Sequence, residues 1–142
     1  MKKLSLLVSA VLAGMSIGFG GLVFLSVDNK VIGAALCEIK ISDTYLSLFV
    51  LGALCNIFIY IAVEGYRSNP HELGKYLSLF LGVMVFILAG TEHCVADMFY
   101  FWMAGAWSGR AILCILVISL GNAAGGVLLP LLRSLAAKGG KQ

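Results

Sequence analysis

Between Tyr76 and Gly109 the chain runs for 34 residues in which Glu92, His93 and Asp97 are the only carboxylate, imidazole or cationic side chains. One straight helical crossing of a bilayer uses about 20 residues. A run this long is either a steeply tilted helix that protrudes or a helix that is interrupted. Gly90 stands just ahead of Glu92 and His93, and Gly105 lies nearer the far end. Interrupted helices are tolerated at membrane depth only where the loosened backbone is buried in protein or lines a cavity. The N-terminus of a half-helix then presents N–H groups and a partial positive charge, which suit an anion.

Three more runs are long enough to cross a bilayer and carry no charge: Leu4 to Val27, Thr44 to Val63 and Ala111 to Leu132. Over all 142 residues, 61% are apolar and 12% charged, with a mean hydropathy of +1.00. Soluble domains carry about 25% charged residues. This much apolar surface needs lipid as its solvent. The expected fold is an all-α, polytopic membrane helix bundle. It forms one domain over 1–142, with about four transmembrane helices at 4–27, 44–63, 76–109 (interrupted near Gly90–His93) and 111–132. Lys2-Lys3 ahead of the first run also resembles a secretory signal peptide, but the Gly14-xxx-Gly18 spacing favours a retained, packing helix. Val31 to Cys37 is too short to span and reads as a partial re-entrant element or a connector. Gly65 to Lys75 reads as a polar loop, with Pro70 placed to start the next helix.

Orientation follows Lys and Arg. With four crossings, one side holds Lys2, Lys3, Arg67, Lys75, Arg133, Lys138 and Lys141, and the other Lys30, Lys40 and Arg110. The excess puts both termini in the cytoplasm of a multi-pass protein of the inner or plasma membrane. A net charge of +3, spread along the chain, is no nucleic-acid footprint. Cys37, Cys55, Cys94 and Cys114 show no CxxC spacing and read as small apolar packing residues. No metal and no cofactor are expected.

A charged side chain at the bilayer centre costs roughly 2.5–3.5 kcal/mol. Glu92 and Asp97 are therefore expensive on a lipid-facing surface, and three ionisable groups beside a glycine point to a transport pathway. The competing reading is that they only stitch helices together. If the segment is helical there, His93 and Asp97 share a face at i, i+4. A buried Glu92 can instead take up N–H groups freed by a break. Taken alone, Asn56 reads as an interhelical hydrogen bond and Lys40 as a snorkelling anchor. Gly121-Asn122 with Gly125-Gly126 reads as a close-approach packing surface.

At this point a family resemblance is plain. Gly90-Thr-Glu-His-Cys-Val-Ala-Asp-Met-Phe99 resembles the G-x-E-H-x-x-A-N-M-F signature of the formate/nitrite transporter family. Gly121-Asn-Ala-Ala-Gly-Gly126 is similar to that family's G-N-x-x-G-G. Lys40-Ile-Ser-Asp-Thr-Tyr with Leu51-Gly-Ala-Leu-Cys-Asn56 looks like the start of its fourth helix, and Ala13 to Gly21 looks like its first. The resemblance implies a homopentamer, each protomer passing small monovalent anions such as formate or nitrite, or their conjugate acids. It implies His93 as the central pore histidine, with Glu92 as its neighbouring acid and Thr91 beside them. Lys40 and Asn56 match the residues that attract and polarise the anion, and Phe86 matches an apolar constriction. The family carries two more crossings than the four read here, so most of its second helix and all of its third are missing from this chain. Asp97 stands where the family has asparagine. A negative group there favours imidazolium at His93 and opposes an incoming anion.

The expected function is thus transmembrane passage of a small monovalent anion or weak acid through a pore with a central histidine. The alternative is a truncated, non-conducting remnant that only packs with membrane partners. An enzyme is not expected, because the sequence offers no nucleophile arrangement, metal-ligand set or nucleotide motif.

Overall fold

A computed structural model describes residues 30–139. The run at 4–27, with its packing glycines, lies outside the described residues. Within them all regular structure is helical: α1 (Lys30–Ser42), α2 (Tyr45–Ser68), α3 (Glu72–Leu88), α4 (Cys94–Ala104) and α5 (Gly109–Gly139). Two of these, α2 and α5, are long and apolar enough to cross a membrane. At 1.5 Å per residue, the 24 residues of α2 reach about 36 Å, more than the roughly 30 Å of hydrocarbon. Segment Val31–Cys37 belongs to the 13-residue α1, which is too short to span.

The long apolar run is cut twice, by the same device. After α3, Gly90 takes φ +63°; after α4, Gly105 takes φ +61°. At the first break, Gly90 N–H bonds Ile87 C=O at 3.1 Å and Thr91 N–H bonds Phe86 C=O at 3.3 Å. At the second, Gly105 N–H bonds Trp102 C=O at 3.2 Å and Ala106 N–H bonds Phe101 C=O at 3.0 Å. Both are Schellman caps, which need a left-handed residue that glycine adopts without a Cβ penalty. Helix α5 then starts afresh on Ser108, whose hydroxyl accepts from Ala111 N–H at 3.1 Å. The connection expected over Gly65–Lys75 contracts to Asn69–His71, because α2 runs on to Ser68 and α3 begins two residues after Pro70.

The described chain divides into two compact units, one holding residues 30–43 and 94–115, the other 44–93 and 116–139. In the first, α1 packs on α4, and Cys37, Phe101, Ala111 and Ile115 form a buried cluster. Arg110 closes the C-terminal end of α1, donating from Nε to Ile41 C=O and from Nη2 to Asp43 C=O at 2.9 Å. In the second unit α2 and α3 pack as a helical hairpin, and α2 also meets the C-terminal part of α5. There the backbones approach so closely that a Cβ on Gly121 would strike the Phe49 carbonyl and one on Gly125 the Ala53 carbonyl.

The hydropathy of the surface is inverted relative to a soluble protein. Leu46 is 74% exposed, Phe80 64% and Leu120 64%, while Glu92 is 6% and Asp97 2% exposed. Water would reverse that distribution, and an apolar surrounding suits it.

Candidate functional site

The first break shapes the polar centre of the second unit. Residues 91–93 are non-helical between the end of α3 and the start of α4. The Thr91 hydroxyl turns back to Phe86 C=O at 2.8 Å, so Thr91 completes the α3 cap with both its hydroxyl and its backbone N–H. The Phe86 ring in turn lies 6.2 Å from the His93 imidazole, centroid to centroid, at 36°. His93 is half-buried and Phe86 shields one side of it.

Glu92 is buried, and its backbone is held on both sides. Its N–H reaches Leu51 C=O on α2 at 3.4 Å, and its C=O accepts from Asn122 Nδ2 at 2.8 Å. The same Asn122 amide donates to Gly52 C=O at 2.9 Å, while Asn56 Nδ2 donates to Asn122 C=O at 2.6 Å. Asn122 therefore ties α2, α5 and the 91–93 segment into one hydrogen-bonded knot. Beside its place on the close-approach surface, Asn122 also holds the backbone that carries Glu92 and His93. An amide inside an otherwise uncharged helix was the available signal, since such a group demands partners. Gly52 permits the approach, because a Cβ there would stand 2.8 Å from Ile118 C=O. Gly126 sits beside Asn56 at ordinary contact distance.

The first unit contains the other ionisable pair. Lys40 Nζ lies 2.9 Å from Asp97 Oδ1, with side chains 11% and 2% exposed. Lys40 occupies the last turn of α1 and Asp97 the first turn of α4, so each charge complements the dipole of its own helix. The conditional expectation of an i, i+4 relation between His93 and Asp97 does not apply, because His93 precedes the helix that Asp97 belongs to. Lys40 is no exposed anchor: it is buried and paired. Arg110, counted in the sequence only as a charge, closes α1 two residues beyond Lys40. Cys37, Cys55, Cys94 and Cys114 form no disulfide, and no cluster of three or more His, Cys, Asp or Glu is placed to hold a metal, among the described residues.

The chain is similar to known proteins. Residues 32–135 match the family model described as formate/nitrite transporter. The chain is 33% identical over 100 residues to formate-nitrite transporter 2 of Toxoplasma gondii, covering 66% of this chain and 21% of that one. It is 37% identical over 65 residues to the formate channel FocA of Haemophilus influenzae, covering 46% and 23%. With the nitrite transporter NirC of Escherichia coli it shares 29% identity over 104 residues, covering 73% and 37%. The matched stretches span between about a fifth and two fifths of these relatives' own lengths. A pentameric formate channel with formate bound shares the fold at a TM-score of 0.64 and 24% identity, over 82% of this chain and 59% of that one. The relatives are transporters and channels, not enzymes, and their family implies a membrane protein. With its model matched over most of the length and its helix break in the matched stretch, the chain belongs to the formate/nitrite transporter family.

Proposed function

We propose that the chain passes a small monovalent anion of the formate or nitrite type, or its conjugate weak acid, across a membrane, with His93 as the proton-exchanging group. The observation that carries this reading is the break after α3. It leaves a half-buried imidazole beside the Phe86 ring, on backbone held by Asn122, in a chain of this family. An imidazole with an unperturbed pKa near 6.5 can give a proton to a weak-acid anion and take it back. The neutral acid crosses an apolar constriction far more easily than the anion, because a bare charge in low dielectric is expensive. Phe86 supplies such a ring, Thr91 and Glu92 hold the histidine's setting, and by the family resemblance Asn56 would help polarise the anion. By the family resemblance Lys40 would help attract the anion, and Asp97 stands where the family has asparagine.

The protein is expected to work as a homo-oligomer, a pentamer by likeness to its structural neighbour, in the inner or plasma membrane. The Lys and Arg excess supports cytoplasmic termini. The test is flux of formate and nitrite into proteoliposomes containing the full chain. Flux above that of empty vesicles, abolished by His93→Ala with assembly retained, supports the reading. Flux unchanged by His93→Ala removes the histidine from the mechanism.

One observation favours a second reading. The chain matches only a minor part of its relatives' lengths, which suits a protein that packs with membrane partners and does not conduct. Vesicles that stay sealed to both anions support that alternative.

A further inference from the structure

The two helix breaks share one kind of cap but have opposite surroundings. At the first, the loosened backbone is enclosed: Glu92 is buried, its N–H reaches Leu51 C=O and its C=O accepts from Asn122. At the second, residues 106–108 are non-helical, and Trp107, Ser108 and Gly109 are exposed. The cap there ends with the bond from Ala106 N–H to Phe101 C=O, and α5 opens with the bond from Ala111 N–H to the Ser108 hydroxyl. The N–H groups between those two bonds belong to an opening helical turn, which has no intrahelical acceptors for them. Hydrocarbon offers such groups nothing, so exposed backbone of this kind belongs where water or lipid headgroups reach it.

The side chains at this break narrow the choice. The chain has two tryptophans, Trp102 and Trp107, and both stand here. Trp102, in the last turn of α4, is 73% exposed, and Trp107, within the break, is 43% exposed. The Trp107 ring lies 5.8 Å from that of Phe101, which is fully buried, so the core of its own unit holds it while part of it faces outward. Indole combines an apolar body with one N–H donor, which suits the boundary between hydrocarbon and headgroups. Bulk water would wet the apolar body, and the bilayer core would strand the donor. The exposed Arg110, second residue of α5, and the positive end of that helix dipole bring positive potential to the same end. That potential complements lipid phosphate.

Resting on the membrane reading of the chain, we propose that the second break is a docking surface for phospholipid headgroups. Trp102 and Trp107 seat it at the membrane–water boundary, where ester and phosphate oxygens accept from its exposed N–H groups. The surface pins the end of α4 and the start of α5 at one depth. Headgroups thereby do for this break what Leu51 and Asn122 do for the first.

The experiment places the full chain in phosphatidylcholine vesicles and reads tryptophan fluorescence, which reports these two residues alone. Lipids brominated near the ester end of the acyl chain quench about twofold more than lipids brominated near the methyl end. Trp102→Phe and Trp107→Phe, each leaving one reporter, show the same order. Equal or stronger quenching by the deep bromines puts the break in hydrocarbon and overturns the proposal. Quenching by aqueous iodide with none by either bromolipid puts it in water, away from the headgroups, and overturns it too. Insensitivity to all three quenchers means that protein, such as a second copy of the chain, covers the surface, with the same consequence. Single variants that disagree in their order also overturn it, because one seat requires both rings. Should one variant fail to assemble, the wild type and the other variant decide. Flotation separates this proposal from the reading beneath it. A chain that does not float with the vesicles fails as a membrane protein and takes the proposal with it. A chain that floats but is not quenched most by the shallow bromines overturns the proposal alone.

Discussion

In the unit built from residues 30–43 and 94–115, polarity is buried as two full charges, Lys40 against Asp97. In the unit built from residues 44–93 and 116–139, the buried Glu92 is accompanied by neutral amides, with Asn122 and the part-buried Asn56 donating to backbone carbonyls. The two solutions differ in what they tolerate. An amide knot needs backbones close enough to be reached by a short side chain, which is why it coincides with the contact at Gly52, Gly121 and Gly125. An ion pair needs only its partner, but becomes strongly unfavourable when that partner is removed. The first kind of site is rigid by packing and the second is sensitive to charge.

The largest expected effect therefore comes from halving the ion pair. Lys40→Met leaves a carboxylate buried without its cation and costs about 3–5 kcal/mol, most of it recovered in K40M/D97N. Denaturant unfolding in detergent micelles measures both; a single variant within 1 kcal/mol of wild type would mean that the pair is solvated, and the contrast between the units would break.

Next comes the close approach. Gly125→Leu drives side-chain atoms into the Ala53 carbonyl, backbone that cannot swing aside, and costs about 3 kcal/mol. Gly126→Leu is its control, because a Cβ there meets Asn56 no closer than 3.8 Å. If the two substitutions destabilise alike, the amide unit is not held by backbone proximity.

Asn122→Ala removes the donor for two buried carbonyls, those of Gly52 and Glu92, and is expected to cost about 2 kcal/mol. The loss should also loosen residues 91–93, read as faster amide exchange at Glu92 and His93. Unchanged exchange would remove Asn122 from its positioning role.

The smallest effect is one that the units should share. Gly90→Ala and Gly105→Ala meet open space, so only the left-handed backbone resists the added methyl, at about 1 kcal/mol each. Unequal costs would show that one of the two caps carries more than its local geometry.

The sequence made the interruption legible for a simple reason. A run too long for one crossing, with Gly90 beside Glu92 and His93, offers few other ways to place its ionisable groups. The second cap, at Gly105, was visible as a glycine but not as a break, because nothing polar accompanies it. Residue type also announced that Asn56 and Asn122 require partners. It could not name those partners, since hydrogen bonds between α2 and α5 join positions remote along the chain.

By itself, then, the sequence determined the apolar character, the helical class, the break and the family, because hydropathy, run length and short residue strings are local properties. The tertiary structure decided who meets whom. It placed Lys40 against Asp97 and took His93 out of the helix that Asp97 begins. It also made Asn122 the knot that holds the Glu92 backbone. Those outcomes depend on backbone approach and on helix ends coming together, and both are set by packing across long sequence separations rather than by any local pattern.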